Sequence, residues 1–269
     1  MSDPSPMPME EFEAAVTATV ATPTVQPQQV PSWNDLDDEL EAMAENLEGL
    51  VDHRAAMLRR AFDISASSLA VTVLAPVMAL VALAVRLDSP GPIFYTQDRI
   101  GINRRRQERR DDMRQGDGRR TLLHAGRPFR IWKFRTMRPD AEAGGPQWAQ
   151  AGDPRVTRVG RFLRKTRLDE IPQFFNVILG DMTLIGPRPE RSFFIKMLES
   201  EIPHYSKRLL VKPGITGFAQ VNNGYDDSVE SVRRKVAWDL RYIRRQGVTT
   251  DVRILLKTVR TILTGDGAC

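Results

Sequence analysis

The chain has 269 residues and a single cysteine, Cys269, which excludes a disulfide framework within the chain. Its formal net charge is +5, but residues 1–53 hold twelve Asp or Glu and no Lys or Arg, so the remaining 216 residues carry a net charge of +17. A strongly basic body favours anionic partners, which include nucleic acid, phosphorylated small molecules and lipid headgroups. The acidic N-terminus lacks the basic and apolar regions that a signal peptide requires.

The first 56 residues predict a disordered tail followed by an acidic amphipathic helix. Residues 1–31 contain six prolines and little periodic apolar content, which is typical of disorder. Over residues 32–56 apolar side chains recur at intervals of three and four, which predicts a helix with one apolar seam. The seam consists of Trp33, Leu36, Leu40, Met43, Leu47 and Leu50. This helix either lies on its own domain or on a bilayer, or it self-associates and forms a homodimer.

Residues 57–87 predict a membrane segment. From Ile64 to Val85 the chain has 22 residues without a charge, and arginines flank this stretch on both sides. A straight helix of this length reaches about 33 Å, which is enough to cross a bilayer. However, Pro76 removes a helical hydrogen bond near the middle, and basic flanks favour the cytoplasmic side at both ends. A spanning helix and a re-entrant helix broken at Pro76 are therefore equal alternatives on these grounds.

Residues 88–264 are predicted to form a cytoplasmic domain that begins with a β-hairpin. The segments IFYTQ and FRIWKFRTM have the β-branched and aromatic composition of strands. Eleven arginines occur from Arg99 to Arg130, most of them in the polar run between the two segments. A solvated loop is the first interpretation of this run, and attraction to anionic headgroups is the second. The run lacks the interleaved aromatic residues of a nucleic-acid platform, so no nucleic-acid partner is predicted.

The segment GRFLRKTRLDEIPQFFNVILGD points most clearly to chemistry. Its apolar positions repeat at helical spacing and are Ile171, Phe174, Phe175 and Ile178. Gly180 fits the C-cap of this helix, and Pro172 is tolerated only in its first turn. Asp169 and Glu170 should therefore lie at or near a helix N-terminus, where free N–H groups favour anions. The four cations just upstream are Arg161, Arg164, Lys165 and Arg167. Such a pair fits either a phosphate and metal site or an ordinary helix start.

Two further segments follow. In IGPRPE, prolines on both sides of Arg188 fix the backbone, which suits bidentate phosphate recognition or an ordinary surface turn. In KPGITGFAQV, Gly214 and Gly217 permit positive φ or close approach of another backbone.

In this order and spacing, the segments resemble the small monotopic phosphoglycosyl transferases, also called the bacterial sugar transferase family. The resemblance extends over about three quarters of the chain, from about Met57 to Leu263 (residues 57–264 as a domain). The matching parts are the apolar helix with its proline, KFRTM, DPRVTRVGRFLRKTRLDEIPQFFNVILGDM, IGPRPE and KPGITGFAQV. The short C-terminal ending resembles relatives that start exopolysaccharide repeats.

The resemblance implies a mostly α fold with a small β-hairpin. It further implies a monotopic membrane protein at the cytoplasmic face of the bacterial inner membrane, with a re-entrant helix broken at Pro76 and amphipathic interfacial helices. The family usually has Ser before this proline, where the present chain has Ala75. The Arg-rich run from Arg104 to Arg127 and the acidic N-terminus depart from the family pattern.

The resemblance also implies a reaction. Asp169 matches the family's nucleophile and Glu170 its partner carboxylate, with Mg²⁺ near both. Lys133, Arg135, Arg164 and Arg188 are expected to bind the phosphates of the substrates. The implied reaction moves hexose 1-phosphate from a UDP-sugar to undecaprenyl phosphate through an aspartyl-phosphosugar. Glu170 is then either a metal ligand or a base, and the alternative function is a non-catalytic membrane scaffold of polysaccharide assembly.

Overall fold

The computed structural model describes residue 47 and residues 53–102, 126–142, 153–222 and 229–264. The predicted tail 1–31, nearly all of the predicted helix 32–56 and most of the Arg-rich run lie outside the described residues. Leu47 of the predicted seam is fully buried and packs with the core of the C-terminal half. The described part is mostly helical with two small sheets, so the predicted mostly α fold with a β-hairpin is confirmed.

Helix α1 (His53–Asp88) has 36 residues, and its stretch Ala56–Asp88 is long and apolar enough to cross a membrane. It is the only such helix in the described part of the chain. The helix continues through Pro76, so the predicted break is not seen as an interruption of the helix. A proline removes a single N–H donor, and the turns on both sides of it retain theirs. The re-entrant path through a membrane stays a prediction.

The predicted hairpin is formed by β1 (Phe94–Ile100) and β2 (Pro128–Phe134), which pair antiparallel from end to end. One face of β2 buries Phe129 and Ile131, as its alternation predicts. The other face exposes Arg130 and Trp132, but it does not stay exposed along the whole strand. Phe134 at its end is buried against α1 and α2, because both helices pass over this end of the hairpin.

The segment with the two carboxylates contains α2 (Arg158–Thr166), a 3₁₀ helix (Leu168–Glu170) and α3 (Gln173–Leu179). The Thr157 hydroxyl accepts the Gly160 N–H at 3.0 Å and caps α2. Gly180 ends α3 with φ of 91°, and its N–H bonds the carbonyls of Asn176 and Val177. This confirms the predicted C-cap, since a left-handed residue there satisfies otherwise unpaired carbonyls.

The C-terminal half builds a second sheet that the sequence did not predict. Strand β3 (Thr183–Ile185) pairs in parallel with β4 (Gly214–Thr216). The elements between and after them are α4 (Ser192–Glu201), a 3₁₀ helix (Tyr205–Leu210), α5 (Phe218–Asn222), α6 (Val229–Arg244) and α7 (Val248–Thr264). The main apolar core lies among α4, α6 and α7, where Ile195, Leu240 and Ile254 are almost fully buried.

Helix α1 is fastened to the rest of the protein by polar side chains of its first turns. The Arg60 guanidinium donates to the carbonyls of Val177 and Ile178, the latter at 2.7 Å, and so caps the end of α3. The Asp63 carboxylate accepts the Thr183 hydroxyl at 2.8 Å and the Leu184 N–H at 3.0 Å. The apolar helix is thereby tied to the two elements that follow the carboxylate pair.

Candidate active site

Strand β2 carries Lys133 to the carboxylate pair. Lys133 lies on the same face as Phe129 and Ile131, but nearer the end of the strand, where its amine is only partly covered. Its Nζ donates to Glu170 Oε1 at 2.7 Å. The core residues of β2 therefore fix the strand, and the strand's pleat directs Lys133 at Glu170.

Asn176 joins this strand to α3. Its side-chain oxygen accepts the Trp132 N–H at 3.0 Å, and its amide donates to the Arg130 carbonyl at 2.7 Å. Asn176 is fully buried, and both the oxygen and the nitrogen of its side-chain amide are hydrogen-bonded to the backbone of β2. Sequence reasoning missed this residue, although a polar side chain inside the run FFNVIL was the available sign.

Asp169 and Glu170 lie on a tight turn rather than at the N-terminus of an α-helix. Arg167 adopts a left-handed conformation with φ of 58°, and the 3₁₀ helix Leu168–Glu170 follows directly. The Glu170 N–H donates to the Arg167 carbonyl at 3.1 Å, so it is not a free donor for an anion. The pair therefore lies near a helix N-terminus, as predicted, but ahead of α3, which begins only at Gln173.

The apolar face predicted for α3 is also corrected. The buried residues of the helix are Gln173, Asn176 and Val177, whereas Phe175 is exposed. Asn176 packs against β2 with hydrogen bonds to two backbone groups of the strand, and hydrogen-bonded polar groups are compatible with burial. The spacing of the apolar residues alone therefore did not identify the buried face of this helix.

Glu170 is the fixed member of the pair. Its Oε1 accepts Lys133 Nζ at 2.7 Å and Arg188 Nη2 at 2.9 Å. Burial by itself would raise the pKa of Glu170, but the charges of Arg188 and Lys133 and their hydrogen bonds hold the pKa well below its usual range. Glu170 is therefore ionised, and it holds two cations at one place.

Asp169 is buried, with 6% of its surface exposed, and no described side chain donates a hydrogen bond to its carboxylate. The pKa of Asp169 is raised, mainly because the carboxylate is buried. The charge of Lys133 lowers this pKa, the charge of Glu170 raises it further, and the charges of Arg164 and Arg188 lower it. A carboxylate without hydrogen bonds beside several cations is more nucleophilic than one held in ion pairs. The geometry thus distinguishes Asp169, whose carboxylate makes no ion pair within the described part of the chain, from Glu170, which is paired with two cations.

The predicted phosphate-binding residues divide into two groups. Arg164 lies close enough to Asp169 to lower its pKa, and its Nε donates to the Thr136 hydroxyl at 3.0 Å. Arg135 is not brought into this cluster. Its buried guanidinium donates to the carbonyls of Ser89 at 2.7 Å, Pro90 and Val85, and so caps the end of α1. These contacts do not support the prediction that Arg135 binds phosphate.

The loop with Arg188 is held against β4 by close backbone packing. A Cβ atom on Gly214 would collide with the backbone nitrogen of Gly186, and one on Gly217 would collide with the Gly186 carbonyl. These glycines are needed for close approach of two backbones rather than for positive φ. Their packing fixes the start of the loop that places Arg188 over Glu170.

The carboxylates fit a magnesium ion only together with a substrate. Within the described ranges, no group of three or more His, Cys, Asp or Glu side chains could hold a metal by itself. Mg²⁺ is commonly bound by one or two carboxylates plus substrate phosphates and water. Asp169 and Glu170 provide two neighbouring carboxylates, and the cations around them can share a diphosphate.

Comparison with known proteins gives this cluster a context. The bacterial sugar transferase family matches residues 54–109 and 117–265. The chain is 44% identical over 213 residues to an Aeromonas hydrophila protein named UDP-N-acetylgalactosamine-undecaprenyl-phosphate N-acetylgalactosaminephosphotransferase, covering 79% of this chain and 45% of that protein. It is 39% identical over 205 residues to the UDP-glucose:undecaprenyl-phosphate glucose-1-phosphate transferase of Escherichia coli (strain K12), covering 76% and 39%.

A protein of that second name from Caulobacter vibrioides is 38% identical over 212 residues, which cover 78% of this chain and 71% of the relative. The chain spans less than half the length of the first two relatives. The family match extends over more than half of the chain and includes Lys133, Asp169, Glu170 and Arg188. The chain belongs to the bacterial sugar transferase family.

Proposed function

We propose that this protein transfers a hexose 1-phosphate from a UDP-sugar to undecaprenyl phosphate and thereby initiates synthesis of an exopolysaccharide or another glycoconjugate. The observation that carries the proposal is the contrast between a buried, unbonded Asp169 and its doubly paired neighbour Glu170. The names of the relatives support the class of donor and acceptor. They include both glucose and N-acetylgalactosamine, so the proposal stays at the level of a hexose.

In the first step, an oxygen of Asp169 attacks the phosphorus that bears the sugar. The bond between this phosphorus and the bridging oxygen breaks, UMP leaves with that oxygen, and an aspartyl-phosphosugar forms. Dividing one transfer into two in this way is what covalent catalysis provides. Lys133, Arg164 and Arg188 neutralise charge that develops on the phosphoryl oxygens, which is the main demand of phosphoryl transfer.

In the second step, an oxygen of undecaprenyl phosphate attacks the same phosphorus. The acyl phosphate bond breaks, the Asp169 carboxylate is regenerated, and the product is an undecaprenyl diphosphate sugar. The cations hold the second phosphate as they held the first. Glu170 keeps Lys133 and Arg188 in place through both steps, because its ion pairs exist without substrate.

Mg²⁺ would be held by Asp169 or Glu170 together with the donor diphosphate. When bound, such an ion supplies charge neutralisation for the leaving UMP. The side chains of the protein would orient the donor phosphates, since Lys133 and Arg188 are already held in place by Glu170.

The proposed location is the cytoplasmic face of the bacterial inner membrane. Helix α1 exposes large apolar side chains along its length, among them Leu69, Leu80 and Leu83. Helix α7 adds an exposed apolar stripe, which includes Val252, Leu256 and Val259, as expected of an amphipathic interfacial helix. A membrane position brings the soluble donor and the lipid acceptor to one site, and a re-entrant α1 would keep both of its ends on that side.

The experiment is a UMP-release assay. The purified protein is given UDP-glucose, UDP-galactose or their N-acetylated forms with Mg²⁺ and undecaprenyl phosphate in detergent. Wild type releases UMP with at least one donor, and Asp169→Asn does not. If no donor gives Asp169-dependent UMP, the enzymatic proposal fails, and the protein is then a non-catalytic scaffold.

A further inference from the structure

The loop Pro187–Glu190 is held by its backbone to an unusual degree. Four successive carbonyls, those of residues 187 to 190, each accept a hydrogen bond from another part of the chain. The donors are, in order, the Gly214 N–H (2.9 Å), the Arg208 guanidinium (3.2 Å), the Arg99 guanidinium (3.2 Å) and the Ile100 N–H (3.0 Å). Two of these donors are side chains, so the loop's position depends on charged groups that the proposed reaction does not use.

Arg208 is the donor to the Arg188 carbonyl and is itself held in a fixed orientation. Its Nε donates to Asp239 Oδ2 at 2.7 Å, and its Nη1 donates to the Tyr205 hydroxyl at 2.8 Å. Only 3% of Arg208 and 1% of Asp239 are exposed. Each of the three nitrogens of the planar guanidinium thus has its own partner, and the third of them, Nη2, reaches the loop.

The side chain of Glu190 connects the same loop to two more cations. Its Oε1 accepts Lys235 Nζ at 2.9 Å, and its Oε2 lies 3.4 Å from Arg99 Nη1. Arg99 therefore bonds both a loop carbonyl and a loop carboxylate. Lys235 and Asp239 lie one turn apart on α6, so one helix anchors the loop at two points.

Stability alone does not explain this arrangement. A buried ion pair loses hydration on folding, and well-packed apolar residues of similar size are often as stabilising or more so. What the pair supplies here is direction, because Arg208 fixes the backbone of the residue whose guanidinium bonds Glu170 at 2.9 Å.

We propose that Arg208, oriented by Asp239, is a positioning residue that acts on catalysis through Arg188. The proposal rests on the proposed function and deepens it, since it assigns a role to residues outside the phosphate site. Arg208 does not touch the substrate in this scheme. It sets the place from which Arg188 contacts Glu170 and the phosphoryl group.

The test is a double-mutant cycle on the full-length protein in the UMP-release assay. The ion pair is replaced by apolar residues in the variant Arg208→Met/Asp239→Leu, which removes the donor to the loop without leaving an unpaired buried charge. The same change is then made in an Arg188→Lys background, which keeps the charge at position 188 but loses the guanidinium fork. Because residues that act through one another are non-additive, the cycle separates positioning from a general structural effect.

In the protein that retains Arg188, we expect the apolar replacement to lower kcat about tenfold. This factor corresponds to the loss of about one hydrogen bond to a charged group. In the Arg188→Lys background the same replacement should lower kcat less than about twofold. The proposal would be overturned if the replacement lowered kcat by the same factor in both backgrounds, or if it left kcat unchanged in the protein that retains Arg188. The single variant Arg208→Lys, which keeps a charge next to Asp239, is carried through the same cycle with the same expectation in case the apolar pair does not fold.

The matched control is Arg234→Gln/Glu230→Gln, which removes a half-buried ion pair from the same helix α6. It should leave kcat unchanged in both backgrounds. Failure of the inference and failure of the proposed function are distinguishable in this assay. If wild type releases UMP and the factors are equal, only the positioning role is lost, whereas absence of Asp169-dependent release in wild type removes both.

Discussion

Replacing Glu190 by Gln removes one negative charge from the middle of three cations. Burial alone would raise the pKa of Glu190, but the charges of Lys235, Arg99 and Arg208 lower it from its ordinary value of 4.5 to about 2. The side chain retains 19% exposure, so solvent screens these charges only in part. The ionised form of Glu190 is therefore strongly favoured in the folded protein.

The magnitude follows from this change in pKa. A pKa that falls from 4.5 to about 2 on folding contributes about 3 kcal/mol to the free energy of unfolding at neutral pH. Because the folded-state pKa is the lower one, this contribution is fully present above about pH 4.5 and is lost as the pH falls through about 2. Glu190→Gln should therefore lower the free energy of unfolding most at pH 7 and much less at pH 3.

The assay is thermal unfolding in detergent at both pH values. At pH 7 the midpoint of Glu190→Gln should lie roughly 6–12 °C below that of wild type, and at pH 3 the difference should shrink by more than half. Glu230→Gln is the control, because its carboxylate pairs with Arg234 at a solvent-accessible position of α6, and loss of this pair should cost less than about 1 kcal/mol. A Glu190→Gln loss in midpoint of the same size at pH 7 and pH 3 would show that the charge of Glu190 is not the source of the stabilisation.

Two other predictions concern the ends of α1. Arg135→Gln should lower the midpoint of thermal unfolding and leave KM for the UDP-sugar within about twofold of wild type, because its guanidinium caps α1 rather than binding phosphate. Arg164→Gln, the comparison variant, should raise that KM, and a larger rise for Arg135→Gln would contradict the assignment. For a re-entrant α1, Ala55→Cys and Pro90→Cys in a Cys269→Ser background should react with an impermeant thiol reagent from one side of the membrane only, the same for both. Labelling from opposite sides would establish a spanning helix.

Local chemistry made much of the fold predictable from the sequence. Three local patterns predicted their structure correctly. The segment FRIWKF forms a strand, the uncharged stretch up to Val85 is helical, and Gly180 ends α3. The buried face of α3 was not predictable in this way. It depends on Asn176 meeting unpaired backbone groups of β2, which is a contact between residues 44 and 46 positions apart.

The candidate site was predictable only in part for the same reason. The residues Lys133, Arg164, Asp169, Glu170 and Arg188 were identified, and the structure brings them together. Their different states were not predictable, because the ionisation of Glu170 and the burial of Asp169 arise from tertiary packing. The contacts of Arg135 with the end of α1 were not predictable, because its neighbours in KFRTM gave no indication that this helix end lies above it.

In the proposed mechanism, Asp169 becomes covalently attached to the phosphosugar. The most direct measurement is intact-protein mass spectrometry after incubation with UDP-sugar and Mg²⁺ in the absence of undecaprenyl phosphate, followed by peptide mapping. We expect a hexose-phosphate adduct on the peptide with Asp169, released as lipid-linked product when the acceptor is added, and no adduct in Asp169→Asn. UMP release that requires the acceptor, with no adduct on wild type at any time, would contradict it.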